Sequence, residues 1–262
     1  MVAFGNMVVG QNSGNKIERE LIRAVDGKRF GEINFRVQQI LLEVDSSLTD
    51  SGATFHARKS TGSGINRKVD LIFECGNDRI ASPSVKSGSG NSVHQESIHD
   101  FVNFLRDLGV DEIGIFELYR FHWGDGTTDG SGAVSQRIGS REIRARFPDT
   151  IRVVGEVFDE HQNSIVARAL AGSQPNSSPS HLIYTENEEL SNLTIIPMAQ
   201  VIEFNSRLQT DSDLIVGRLL FQNYGRCLQG QDLISNKTRN DVQFKWPTLA
   251  EDVQVIYRSV NE

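Results

Sequence analysis

Residues 67–101 read RKVDLIFECGNDRIASPSVKSGSGNSVHQESIHDF. Val69, Leu71, Ile72 and Phe73 form a short, nearly continuous apolar run, the pattern of a buried central strand. Asp70 inside that run is out of place unless something compensates its desolvated charge. Gly76-Asn77-Asp78 is a turn signal. Ile80 to Lys86 then returns as a second strand, interrupted by Pro83, which cannot donate to a ladder and so marks a sheet edge or a bulge. SGSGN (87–91) is a flexible bend. Ser92 with Gln95 three residues later has the form of a capping box for a helix running through Leu108. Ile98, Phe101, Val102, Leu105 and Leu108 would be its buried face.

That order puts Asp70 on one strand, Lys86 at the end of its hairpin partner, and Glu96 in the first turn of the following helix. Cleaving a phosphodiester needs an activated water, a stabilised transition state and help for the leaving oxygen. One or two Mg²⁺ ions held by carboxylates supply these, and Mg²⁺ keeps several waters, so two or three carboxylates suffice. A lysine adds a compact positive charge that orients the water or contacts the phosphate. The ordinary alternatives are a helix N-terminal acid for Glu96 and a capping partner for Gln95. An (acid or Ser)-x-Lys triplet alone carries little information: Asp26-Gly27-Lys28, Ser235-Asn236-Lys237 and Gln243-Phe244-Lys245 also occur. The order of the elements around Ser84-Val85-Lys86 is what distinguishes it.

Outward from this stretch, residues 15–45 show helical spacing broken near Asp26-Gly27. Ile33, Val37, Ile40, Leu41 and Val44 form the second apolar stripe, with Glu32 beside it. ATFHARKS (53–60) alternates as a strand, and TGSGIN (61–66) is a loop. DEIGIFELYRFHW (111–123) reads as another core strand and GDGTTDGSG (124–132) as a long glycine-rich loop, with charged, helical sequence following to Gly172. Beyond QPNSSPS, the runs HLIYT, NLTIIP, VIEF, LIVGRLLFQ and DVQFKW are short and β-like. The reading is a mixed α/β (α+β) fold, divided into a core of residues 1–172 and a β-rich portion of residues 173–262.

Hydrophobic residues make up 38% of the 262 and charged residues 23%, ordinary values for a globular protein with an ample core. No apolar run approaches the roughly 18 residues of a membrane span, and MVAFGNMVVGQNSG lacks the basic start and apolar centre of a signal peptide. Cys75 and Cys227 stand apart from any Cys or His at metal spacing and read as reduced thiols of a cytoplasmic protein. A net charge of -7 argues against a non-specific nucleic-acid coat protein. It leaves a nuclease open, since a DNA cleft needs only local positive charge. His94 and His99 read as ordinary surface or helix histidines, and Trp123 and Trp246 as packing residues.

The segment resembles the active site of the PD-(D/E)xK nuclease superfamily, and SVKSGSGNSVHQE is similar to the core motif of type II restriction endonucleases within it. In that pattern an Asp precedes (Asp/Glu)-x-Lys; Asp70 and Lys86 match, while Ser84 stands where the acid normally is. One branch also has Ser-Val-Lys and takes its missing acid from the following helix, a position that Glu96 fits, with Gln95 as competitor. The resemblance covers roughly 35 residues. It implies a restriction-endonuclease-like core, a central mixed sheet flanked by helices, with Asp70 and Glu96 as metal ligands. Lys86 would be catalytic and Glu32 (or Glu43 behind it) a supporting acid. It further implies Mg²⁺ (Mn²⁺ able to substitute), double-stranded DNA as substrate, a homodimer with one site per strand, and a prokaryotic setting with a partner DNA methyltransferase. Base readers are typically Arg for guanine and Asn or Gln for adenine. Arg58, Lys59, Arg120, His122, Arg137, Arg141, Arg144, Gln222, Asn223, Arg226, Arg239 and Lys245 are the candidates for DNA contact. A repair nuclease of the same superfamily and a non-catalytic DNA-binding protein are the rival readings.

Overall fold

The computed structural model describes residues 13–50, 52–60, 68–173, 178–187, 189–207, 214–223 and 240–261. The fold is mixed α/β and consists of two compact units, the first built from three segments of the chain and the second from two. The first unit holds residues 1–90, 173–201 and 249–262; the second holds 91–172 and 202–248. The division expected at 172/173 is thus one of four crossing points, and residues 173–262 are shared by both units.

In the first unit, helices α1 (Ser13–Val25) and α2 (Phe35–Val44) are separated where Gly27 adopts a positive φ of 72°. Asn34 caps α2 by accepting from the Arg36 N–H. Ile17, Leu21 and Val25 of α1 and Val37, Ile40 and Leu41 of α2 recur at three- and four-residue spacing and are all buried. They cover an antiparallel sheet of order β1-β2-β3-β4, formed by Lys28–Arg29, Thr54–Lys59, Leu71–Cys75 and Asp78–Ala81. A second sheet, order β5-β7-β8, is formed by Ser84–Ser87, His181–Thr185 and Leu193–Pro197. Strand β5 runs parallel to β7, with Lys86 opposite Tyr184.

The turn at Gly76 and the β3–β4 hairpin are as expected. The single strand expected over Ile80–Lys86 is instead two strands, β4 and β5, in different sheets. Pro83 supplies the reason: it has no N–H to continue the ladder, and its carbonyl accepts from the N–H groups of Asp70 and Leu71 at 3.0 and 3.3 Å. This joins the start of β3 to the entrance of β5. Phe55, Phe73, Val85, Ile183 and Leu193 meet in one apolar core with the two helices. Helix α9 (Leu249–Asn261), which the sequence reading left unassigned, closes the chain.

The second unit is built on the antiparallel sheet β6-β11-β10-β9, formed by Ser92–Ser97, Asp241–Lys245, Leu219–Gln222 and Ile215–Val216. Its helices are α3 (Ile98–Asp107), α4 (Glu112–Trp123), α5 (Ser140–Arg146), α6 (Pro148–Glu160) and α7 (Gln162–Ala171). Phe221 is at the centre of its core, with ring centroids of Phe101, Phe158 and Phe244 at 5.7, 5.1 and 5.2 Å. Trp123 and Trp246 are both buried, as packing residues are. Helix α8 (Met198–Asn205) carries the chain from the first unit into the second.

Three expectations are corrected here. Residues 112–123, expected within a strand, form a helix, because Asp111 caps it by accepting from the Gly114 N–H and Gly124 ends it in the left-handed conformation. Gln95 and Glu96 do not open a helix but lie on β6; the cap of α3 is Ser97, bonded to the Asp100 N–H. VIEF (201–204) is helical, within α8. The loop read at 61–66 lies outside the described residues.

Gly217 connects β9 to β10 with φ at +60°, and a Cβ there would lie 1.9 Å from the Asn205 carbonyl oxygen. Gly217→Ala is therefore expected to lower the unfolding free energy by about 2 kcal/mol or more, since left-handed strain and a backbone collision add. Chemical denaturation of both proteins checks this.

Candidate active site

Asp70 lies immediately before β3, where its main chain is anchored to Pro83. Its carboxylate reaches across to the start of β5. Oδ2 accepts from Ser84 Oγ at 3.0 Å and from the Val85 N–H at 2.7 Å. Ser84 is only 6% exposed. The residue standing where an acid was expected therefore acts as a clamp that orients Asp70. Along β5 the side chains alternate. Val85 goes into the apolar core, so Ser84 and Lys86 share the opposite face. The strand thus puts Lys86 on the face where Asp70 is held. Lys86 is half-buried, and no described side chain forms a hydrogen bond or ion pair with it. Asp70 Oδ1 likewise takes no hydrogen bond from the described residues. The unit therefore brings Asp70 to the start of the strand that carries Lys86 two residues after Ser84.

Glu96 is engaged elsewhere. It is fully buried on β6, where the Arg168 guanidinium donates to both of its oxygens, Nε to Oε1 at 2.9 Å and Nη2 to Oε2 at 2.6 Å. His94 Nε2 is 2.8 Å from Oε1. Burial pushes the Glu96 carboxyl up, but the hydrogen bonds and charges of His94 and Arg168 outweigh it and hold the pKa below the ordinary range. Arg168 also stacks over the Phe104 ring at 4.5 Å. The expected metal ligand is thus the centre of a buried ionic cluster of the second unit, and His94, expected on a surface, belongs to that cluster. Gln95 is exposed and donates to Asp241 on the neighbouring β11 at 2.7 Å.

Glu32 is exposed on a short 3-10 turn, where its carboxylate accepts from the Arg29 N–H at 2.8 Å and closes that turn. Glu43 accepts from the Tyr257 hydroxyl at 3.1 Å, and burial raises its pKa. Neither side chain has a bond to Asp70 or Lys86. Among the described residues no three His, Cys, Asp or Glu side chains gather as a metal-binding group.

The candidate DNA-contacting residues separate into distinct sets. Arg58 is paired with Glu74 at 2.9 Å and Lys59 with Glu18, on α1, at 2.7 Å. Arg120 is paired with Glu117 at 3.1 Å. His122 and Arg137 are buried, which corrects their assignment to an exposed reading surface. Arg141 is exposed on α5, and Lys245 is half-buried on β11. Arg226 and Arg239 lie outside the described residues. Arg144, Gln222 and Asn223, by contrast, meet in one cleft of about 260 Å³ in the second unit, over an apolar floor of Phe121, Ile151 and Leu220. Asn223 is fixed there by donating to the Phe121 carbonyl at 3.3 Å.

The sequence reading missed Arg168 and His94 as partners of Glu96. Alternation along Val93, His94, Gln95 and Glu96 is hidden because polar residues occupy the buried face. No helix of the described residues is long and apolar enough to cross a membrane. Neither a protein-family model nor a curated protein matches the chain.

Proposed function

We propose that the protein is a Mg²⁺-dependent endonuclease that cuts double-stranded DNA at a specific sequence. The observation that carries the reading is the clamp on Asp70: Ser84 Oγ and the Val85 N–H both hold one carboxylate oxygen, at the start of the strand that bears Lys86. A hard cation fits this donor set, because Mg²⁺ binds through one or two carboxylates and completes its shell with water and phosphate oxygens. Asp70 would hold it, and a bound Mg²⁺ would lower the pKa of its water and offset charge on the phosphoryl group. Lys86 contributes a fixed positive charge that orients the attacking water or the scissile phosphate. Ser84 keeps Asp70 from rotating away. Arg144, Gln222 and Asn223 carry donors and acceptors of the kind that read base edges, and their convergence in one cleft supports a recognition role. A two-fold symmetric recognition sequence would be served by a homodimer, and a DNA methyltransferase would protect the host's own sites.

The test is digestion of a long phage DNA by the purified protein with Mg²⁺ or EDTA, beside Asp70→Asn. Discrete Mg²⁺-dependent fragments, lost in Asp70→Asn, are expected. A smear would point to a nuclease without fixed sequence. A second reading, a DNA-binding protein without catalysis, is favoured by the single carboxylate at the clamp and the engagement of Glu96 with Arg168. Intact DNA with every metal tried, together with a retained gel shift, would make that reading the correct one.

A further inference from the structure

Helix α4 packs on α6 and α3 but does not bury all of its apolar residues. Ile115, Leu118 and Phe121 are enclosed, and Gly114 lets α6 approach so closely that a Cβ there would lie 2.8 Å from the Val157 side chain. Elsewhere around the helix Ile113 is 68% and Phe116 46% exposed. Phe35, Val255 and Val260 are the other large apolar side chains exposed among the described residues, and none of them has such a neighbour one helical turn away. Single exposed apolar residues need no explanation, whereas an apolar patch does.

The charges around Phe116 are ordered. Glu112, Phe116 and Arg120 are spaced four residues apart, so they form one inclined row on the helix surface: an acid, an aromatic ring, a base. The Glu112 side chain is 75% exposed, and Arg106 donates to its two oxygens at 2.8 and 3.0 Å. The Arg120 guanidinium lies over the Phe116 ring at 5.1 Å, and its Nη1 donates to Glu117 at 3.1 Å. A carboxylate can accept, and a guanidinium donate, more bonds than these.

Such a row is complementary to itself. When two helices cross at about 50°, the commonest packing, the rows of residues four apart on both run along each other. A two-fold axis beside Phe116, lying in the interface and across the row, reverses the row of the second copy. Glu112 then faces the second copy's Arg120, and Arg120 its Glu112, while the Phe116 rings and the Ile113 side chains meet between them. The Arg106–Glu112 and Arg120–Glu117 pairs join into a line of alternating charge. The other alignment, with both rows in the same sense, sets Glu112 against Glu112 and Arg120 against Arg120, so charge selects the first.

We infer that a second copy of the chain docks on this face, α4 against α4, about a two-fold axis at Phe116. The proposed function expects a homodimer without assigning it a surface, and this docking rests on that reading for the expectation of two copies alone. A contact confined to one helix from each copy falls in the weak class, below about 1,200 Å² of buried surface, so the association is reversible and follows concentration.

Sedimentation velocity of the full chain over a concentration series, beside thermal melts of each variant, tests it. The wild type should show a reversible monomer–dimer equilibrium. Phe116→Glu, Glu112→Arg and Arg120→Glu should each need at least about tenfold more protein to dimerise, since each sets like charges against one another at the contact. Glu112→Arg and Arg120→Glu combined in one chain should regain the wild-type association, because the reversed row is again complementary to itself. Phe116→Glu and Glu112→Arg should leave the thermal midpoint nearly unmoved, as both side chains are exposed and a surface ion pair contributes little. A wild type that stays monomeric at every concentration would overturn the docking and leave the face to a partner of another kind. A dimer untouched by Phe116→Glu, or a folded double reversal no tighter than the single ones, would overturn it too. None of these outcomes depends on whether the protein cleaves DNA.

Discussion

Glu96→Ala is expected to lower the unfolding free energy by about 3–5 kcal/mol, the cost of leaving a buried cation without its partner. The thermal midpoint should fall on the order of 10 °C. The large effect follows from geometry: both oxygens of a fully buried carboxylate are bound by the Arg168 guanidinium, itself nearly enclosed. The same cluster gives a pH dependence. The folded Glu96 carboxyl titrates below its ordinary value of 4.5 because His94 and Arg168 outweigh burial. Its contribution is therefore present above about pH 4.5 and is lost as the pH falls through the lower, folded pKa. Denaturation of the wild type and Glu96→Ala between pH 7 and pH 3 should show two curves that converge in acid. A metal-ligand role would leave the opposite signature, with cleavage abolished and the thermal midpoint unmoved.

On the proposed reading, Lys86→Ala should slow DNA cleavage by about 10²–10³-fold or more, the range for removing one pre-positioned charge from the transition state. Stability should change by no more than about 0.5 kcal/mol, because the side chain is half-exposed and bonded to no described residue. Lys86→Arg should not restore the rate, since a planar guanidinium cannot occupy the place of a compact ammonium. Single-turnover rates on a defined duplex at saturating Mg²⁺, beside thermal melts of each variant, separate the two effects. A Lys86→Ala protein as fast as the wild type would remove the nuclease reading.

Asp70, Ser84 and Lys86 were singled out from local order alone. The sequence puts Lys86 on the hairpin partner of Asp70, whereas β4 and β5 belong to different sheets, and it does not announce the bond from Ser84 to Asp70. Fourteen residues separate Asp70 from the Ser84 that binds it, and a turn at Gly76 and a break at Pro83 dictate how they meet. Glu96 was not legible. Ser92 and Gln95 imitate a capping box, while the true cap is Ser97, five residues later. The partner that fixes Glu96, Arg168, is 72 residues away, and nothing in local periodicity announces such a pair. The helix at 112–123 was misread for another reason. Its apolar residues run almost without interruption and suit a buried strand as well as a helix; the terminal signals, Asp111 and Gly124, carried the decision. Clustering of Arg144, Gln222 and Asn223 depends on long-range packing that no spacing encodes.

The parallel pairing of β5 with β7 has a consequence for how the chain comes to life. Lys86 is on a strand whose hydrogen-bonded neighbour is made only after about a hundred further residues have been added, a long loop to close before any reward is collected. During synthesis β5 stays an unpaired edge until His181–Thr185 has left the ribosome. On the proposed reading, a chain that stops before His181 cannot cut, and cleavage of DNA waits until β7 has been made.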